Sequence, residues 1–223
     1  MRQIVLDTET TGLATRDGHR IIEIGCVELC HRKITGKTFH TYLNPKRSID
    51  EGAMRVHGIT NEFVADKPCF RDIVAEFKKF IQGAELIIHN APFDIGFLEY
   101  ELSLLEDRWV AIRDHCKVID TLVMARDKHP GQRNNLDALC KRYEINNQHR
   151  EFHGALLDAS ILAEVYLAMT GGQGTLFSLD SEQNGQQQFG HQRLASTVKG
   201  LRIVEATEEE RLAHDNFVAK LLR

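Results

Sequence analysis

Apolar residues recur along the chain in two rhythms. Near the N-terminus Ile4-Val5-Leu6 reads as a buried strand over residues 2–8, ended by Thr10-Thr11-Gly12. Two further strand-like runs follow, RIIEIGCVEL at 20–29 and KTFHTYLNP at 37–45, with Arg32 to Gly36 as the hairpin turn between them. From residue 70 the period changes. Phe70, Ile73, Val74, Phe77, Phe80 and Ile81 fall at helical spacing, and Gly83 ends the pattern. A strand at 85–89 leads through a short loop with Pro92 into a helix carrying Ile95, Phe97, Leu98, Leu102 and Leu105. The short strand Lys117 to Asp120 precedes a helix through Leu122 and Ala125, and Asn135 is placed to cap another with Leu136, Leu139 and Tyr143. A last helix, with Leu157, Ile161, Leu162 and Val165, closes near Gly171-Gly172. A meander followed by alternating helices and strands predicts an α/β fold, a mixed sheet with helices on both faces.

After Gly172 the character changes. The glutamine-rich run SEQNGQQQFG at 181–190 has too little apolar surface to fold and reads as a linker. Residues 191–223 regain mixed character: Thr207-Glu208-Glu209-Glu210 reads as a capped helix start, and Leu212, Phe217, Val218, Leu221 and Leu222 form an apolar stripe. So short a segment cannot readily bury a core alone, so it is expected to fold against a partner. The expected organisation is one domain over 1–172, a connecting segment at 173–190 and a tail at 191–223.

The chain has 223 residues and 42% apolar content, ordinary for a protein with a full core. No run approaches the ~20 apolar residues of a membrane span, and the N-terminus leads into a core strand rather than a signal peptide. A cytoplasmic protein is expected. Cys26, Cys30, Cys69, Cys116 and Cys140 include no C-x-x-C pair. Cys26 and Cys30 share a strand face but lie about 13 Å apart at strand rise, too far to chelate one zinc, and the five read as buried thiols in a reducing compartment. With 28 basic and 32 acidic residues, net charge is −4. Phosphate neutralisation dominates nucleic-acid affinity. A nucleic-acid substrate would therefore have to be held by metals and a narrow cleft, and delivered by a partner.

The chemistry concentrates in three motifs. Asp7 and Glu9 stand in IVLDTETTG, Asp94 in HNAPFD, His153 and Asp158 in HGALLDA. Residues two apart on a strand share a face, so Asp7 and Glu9 point the same way, about 7 Å apart at Cα. Asp94 sits where a helix begins; by itself it reads equally as an N-cap. Asp158 lies among apolar neighbours, where an unpaired carboxylate is costly. His153, five residues earlier, falls roughly 140° away around a helix. The two do not share a helical face, and His153 is expected in the loop before the helix beside Gly154. Four carboxylates and a histidine have the chemistry of a two-metal phosphodiesterase: hard cations such as Mg²⁺ take oxygen ligands, two ions ~3.5–4 Å apart activate water and stabilise a leaving oxygen, and a histidine takes the proton.

DTETTG, HNAPFD and HGALLDA together resemble the four-acid-plus-histidine exonucleases of the ribonuclease H-like superfamily. The match runs from about residue 2 to 170 and includes IIEIG, VHGI, NNLDALC and LAEVYLAMTGGQ. Among them the chain is most similar to the proofreading exonucleases of bacterial replicative polymerases. That resemblance implies a 3′→5′ exonuclease using two divalent ions, Mg²⁺ or Mn²⁺. Asp7, Glu9, Asp94 and Asp158 would be the metal ligands and His153 the general base. Asp7, Glu9 and Asp158 would also meet substrate, with His57 near the terminal nucleotide and Phe93 and His89 as cleft residues; for Phe93 and His89 the alternative is packing behind the site without touching substrate. Gln173 to Phe177 resembles a Q-x-x-L-F peptide that enters the sliding clamp, with Gln173 as polar anchor and Leu176 and Phe177 filling an apolar pocket. The tail resembles the segment that binds the polymerase catalytic (alpha) subunit. The family's small accessory subunit, theta, occurs only in some bacteria, and the sequence leaves that partner open. Two competing readings are a free-standing RNA 3′ exonuclease of the same superfamily and an inactive replisome adaptor.

Overall fold

Strand β1, Arg2–Thr10, is the centre of a five-stranded sheet of order β3-β2-β1-β4-β5. The computed structural model describes residues 1–105, 111–147 and 152–171, together with 207, 208 and 211. The chain divides into two units, Met1–Thr175 and Leu176–Arg223. In the first unit, β2 (Ile21–Cys30) pairs antiparallel with β1, and β3 (Lys33–Tyr42) antiparallel with β2. On the other side β4 (Glu85–Ile88) and β5 (Lys117–Asp120) run parallel. The mixed α/β sheet expected from the sequence is the one observed.

The helices are α1 (Glu51–His57), α2 (Asn61–Val64), α3 (Phe70–Ile81), α4 (Ala91–Ser103), α5 (Thr121–Lys128), α6 (Leu136–Arg142) and α7 (Ala155–Thr170). Helix α3 follows the apolar period read from the sequence, with Phe70, Phe77 and Ile81 buried. Neither α1 nor α2 was expected: each is too short for periodicity to show. Strand alternation sorts the core. Ile4 and Leu6 face one cluster with Phe77, Leu98 and Leu102; Val5 faces the other with Leu162, Val165 and Tyr166. Helix α4 is thus packed on one face of the sheet and α7 on the other. Arg20 forks onto the buried Glu101 of α4, with Nε and Nη2 donating to its two carboxylate oxygens at 2.7 and 2.6 Å. That bidentate pair ties α4 to the start of β2.

Three local expectations are corrected. The β2–β3 turn is His31-Arg32, both with positive φ (49° and 63°), not Arg32 to Gly36. Gly36 also has positive φ, but inside β3, where the pairing register shifts opposite Val27 and Leu29. A glycine that looked like a turn residue serves a bulge. Cys26, Cys116 and Cys140 are buried thiols, whereas Cys30 and Cys69 are partly exposed. Leu157 is exposed rather than part of the apolar face of α7.

Of the second unit, Glu208 and Arg211 are helical, and the Arg211 amide donates to the Thr207 carbonyl at 3.1 Å. This agrees with a helix start at Thr207. The clamp-like peptide, the glutamine-rich linker and the rest of the tail lie outside the described residues.

Candidate active site

The site forms where β1 ends. Asp7 and Glu9 share the parity of Val5 and so take the face that α7 covers. Directly opposite Asp7 on β2 is Gly25. A Cβ there would overlap the Ala155–Leu156 peptide of α7. The first turn of α7 therefore rests on bare backbone beside Asp7, and that close approach brings Asp158 to the strand end. It also supplies the physical reason for the glycine in IIEIG.

Asp94 arrives from the opposite face. Asn90, in the left-handed region at φ 65°, turns the chain out of β4 into α4. Asp94 is thus a turn inside the helix, and it is buried. The N-cap alternative does not hold. Thr8, between the two β1 acids, points to the α4 side and donates its hydroxyl to Asp94 Oδ1 at 2.7 Å. Burial pushes the Asp94 carboxyl up to about 7; the Thr8 hydroxyl opposes this and the charge of Asp120 adds to it. Asp120 itself caps α5, its Oδ1 accepting from the Leu122 amide at 2.9 Å.

His153 lies in the extended segment before α7, beside Gly154, as expected. Its amide donates to the Val56 carbonyl of α1 at 3.1 Å. Phe152 packs over Gly58, the left-handed residue that ends α1. These contacts turn the imidazole toward α7, and its Nδ1 lies 3.2 Å from Asp158 Oδ2. The angle around the helix axis would have kept the two apart; leaving the helix is what lets them meet.

Asp7, Glu9, Asp94, His153 and Asp158 all line one cavity of about 270 Å³. His89 and Phe93 line it too, and so do Thr8, Asn90, Asn135 and Asp137, which the sequence reading did not place in the site; Asn135 was expected only as a helix cap. All four stand inside quoted motifs, Thr8 in DTETTG, Asn90 in HNAPFD, and Asn135 and Asp137 in NNLDALC. His89 Nδ1 is hydrogen-bonded to Thr121 Oγ1 at 2.9 Å. Among the described residues lining this cavity there are five carboxylates and no lysine or arginine. Glu9, His153 and Asp158 each bring a ligand atom within 4.8 Å of the others. Crowded oxygen donors, one of them costly to ionise, suit hard divalent cations.

Beside the cavity is an apolar shelf of about 490 Å³ that shares Thr8, Glu9 and Phe93 with it. Leu13, Ala53, Val56 and His57 are among its lining residues. His57 Nδ1 accepts from the Ile59 amide at 3.0 Å, so the neutral ring carries its proton on Nε2. That buried donor has no hydrogen-bond partner among the described residues. Burial lowers the His57 pKa; the Thr10 carbonyl is near enough to oppose this without closing a hydrogen bond, and the charge of His153 lowers it further.

Residues 4–166 match the model of the family described as Exonuclease (RNase_T). Curated relatives named DNA polymerase III subunit epsilon include one from Salmonella typhimurium, 55% identical over 96% of this chain and 91% of its own length. One from Escherichia coli is 55% identical over 96% and 90%. One from Rickettsia felis is 46% identical over 100% and 98%. Among solved structures, Exonuclease X in complex with 5′ overhanging duplex DNA superposes with a TM-score of 0.59 at 30% identity, covering 75% of this chain and 90% of that one. The nuclease domain of 3′hExo, a DEDDh family member bound to rAMP, gives a TM-score of 0.61 over the same shares; at 20% identity it speaks to the fold.

Proposed function

This chain belongs to the exonuclease family, in the branch of the DNA polymerase III epsilon subunits, and we infer that its carboxylate cavity shortens DNA from the 3′ end to proofread for that polymerase. The observation that carries the reading is the convergence of Asp7, Glu9, Asp94, His153 and Asp158, from three separate motifs, on one cavity. The alternatives fare less well. Relatives that match the tail as well as the nuclease unit are polymerase subunits, which argues against a free-standing RNA exonuclease. A full set of acids and histidine in one cavity argues against an inactive adaptor.

Exonucleases of this type generally use divalent metals. Asp7, Glu9, Asp94 and Asp158 would hold two of them, Mg²⁺ or Mn²⁺, which when bound acidify water and neutralise charge on the phosphoryl and leaving oxygens. The chain's own residues do the rest. Asp158 takes the Nδ1 proton of His153 in a hydrogen bond, which fixes the tautomer and makes Nε2 the basic nitrogen. Nε2 removes the proton of the attacking water. The shelf of Leu13, Val56 and Phe93 holds the terminal base, with His57 near the terminal nucleotide. A cleft that admits one strand prefers mispaired ends because a frayed end costs less to unpair. A release assay tests the reading. With Mg²⁺ or Mn²⁺ a mispaired DNA 3′ end should be lost as nucleoside monophosphates faster than a paired one. Faster loss of RNA ends would favour the RNA exonuclease, and no release at all would favour the adaptor.

Membership of this branch implies association with DNA polymerase III. The proposed division of labour is a nuclease over 1–172, a clamp-binding peptide and linker over 173–190, and an alpha-subunit-binding tail over 191–223. Gln173, Leu176 and Phe177 carry the clamp contact, worth ~2 kcal/mol or more for each buried anchor. Theta stays open as a partner. No described helix is long and apolar enough to cross a membrane. The proposed place, at the bacterial replisome in the cytoplasm, follows from the branch of polymerase subunits. Protein ending at Gly190 should keep its nuclease and stop copurifying with the polymerase, while Leu176→Ala with Phe177→Ala should weaken clamp binding alone. Copurification of the shortened protein at full yield would move the polymerase contact onto the nuclease unit.

A further inference from the structure

A second depression of about 550 Å³ opens from the catalytic cavity and shares His89, Asn90 and Asn135 with it. Its chemistry is the reverse of the cavity's. The described lining of the cavity has five carboxylates and no cation; that of the groove has no carboxylate and two arginines, Arg126 and Arg133. Both arginines are exposed, and neither is held in an ion pair among the described residues.

The groove is also built. The buried Asn134 donates its amide hydrogens to the His129 and Gln132 carbonyls at 3.2 and 3.1 Å. Arg142 donates to Asn134 Oδ1 at 3.1 Å and to the Arg133 carbonyl at 2.9 Å. Asn135 caps α6 by accepting from the Ala138 amide at 3.0 Å. The backbone of this loop is therefore fixed from behind by Arg142, while the Arg133 side chain is left to the groove. Arg126 reaches the same groove from α5, alongside the apolar Leu122.

We propose that this groove seats the sugar–phosphate backbone of the substrate strand upstream of the scissile bond, with Arg126 and Arg133 as its phosphate contacts. The proposal rests on the exonuclease reading and deepens it. Guanidinium groups flanked by side-chain amides suit phosphodiester oxygens, and such contacts position a strand without reading its sequence. A protein of net charge −4 must gather positive charge locally to hold a polyanion. Here it does so next to the cavity where carboxylates oppose the substrate's own charge. Shelf, cavity and groove adjoin in that order, matching terminal base, scissile phosphate and upstream phosphates.

The test compares a thymidine dinucleotide, whose only phosphate is the scissile one, with a thymidine decamer, using the full-length protein. Arg126→Ala with Arg133→Ala should raise KM for the decamer ~10-fold or more, leave kcat in place and leave the dinucleotide unaffected. The slope of log kcat/KM against log salt for the decamer should become shallower by about 1.4, that is ~0.7 for each lost contact to a single strand. Arg126→Lys with Arg133→Lys, which keeps the charges, should restore most of the loss, and a melting curve checks that each variant is folded. Equal losses on both substrates would overturn the proposal, because the arginines would then be supporting the catalytic cavity. So would an unchanged decamer KM. Unaltered protein that cuts neither substrate would sink the exonuclease reading instead; fluorescence anisotropy of a labelled decamer, with and without the two alanines, would then still decide the groove.

Discussion

Asp94→Asn lowers exonuclease turnover by ~10³-fold or more and yet makes the metal-free protein more stable at pH 8. The loss follows from charge. Neutralising one of the crowded acids weakens cation binding and removes transition-state stabilisation worth several kcal/mol, at about 1.4 kcal/mol for each factor of ten. The gain follows from burial. The Asp94 side chain is buried, and burial pushes its carboxyl up to about 7, whereas in the unfolded chain it titrates near ~3.9. Between those values the folded state keeps a proton that the unfolded state releases, so this group's contribution to stability falls as pH rises from about 4 to about 7. An amide has no such slope and still accepts from Thr8. Thermal melts in chelator across pH 4–8 should show the variant above the parent protein at the alkaline end, the two converging toward pH 4. Saturating divalent cation should reverse the order, since the parent gains more from binding than the variant does. Parallel pH slopes, or turnover within tenfold of the parent, would mean that Asp94 is not a buried acid of the metal site.

His153→Ala lowers turnover by ~10²–10⁴, the usual worth of a positioned general base, and leaves cation affinity nearly unchanged. Two roles compete for this residue, because Glu9, His153 and Asp158 are close enough to share one ion. A ligand and a base lose different things. If His153 ligates, cation affinity falls together with turnover, and excess Mn²⁺ restores much of the rate. If it is the base, saturating Mn²⁺ does not help and the acidic limb of the pH–rate profile flattens. The 3.2 Å contact from Nδ1 to Asp158 favours the base, since that nitrogen is already engaged with a carboxylate. Titrating Mn²⁺ against the variant, with turnover read at each concentration, separates the two.

Much of this molecule is legible in its sequence. Apolar alternation located β1, and period two put Asp7 and Glu9 on one face. Helical spacing located α3, and Asn135 caps α6 as its residue type suggested. Short elements were not legible: α1 and α2 hold too few residues to show a period, yet α1 supplies the Val56 carbonyl that anchors the His153 segment. Thr8 was passed over because a threonine between two acids carries no signal of its own; its partner is 86 residues away.

What the sequence determined by itself was the set of chemical groups and the face of the element on which each stands. Those are local properties, written in periods of two and 3.6 residues. What only the tertiary structure decided was their meeting. Helices α4 and α7 pack on opposite faces of the sheet, so no periodicity along the chain relates Asp94 to Asp158. They share a cavity because both helices reach the sheet at the end of β1, α4 turned out of β4 at Asn90 and α7 seated on Gly25. The same holds for the two arginines of the neighbouring groove, which α5 and the loop before α6 bring to one rim. Distances across a sheet are set by strand order and by how closely backbones can approach, and neither is encoded in the neighbours of any one residue.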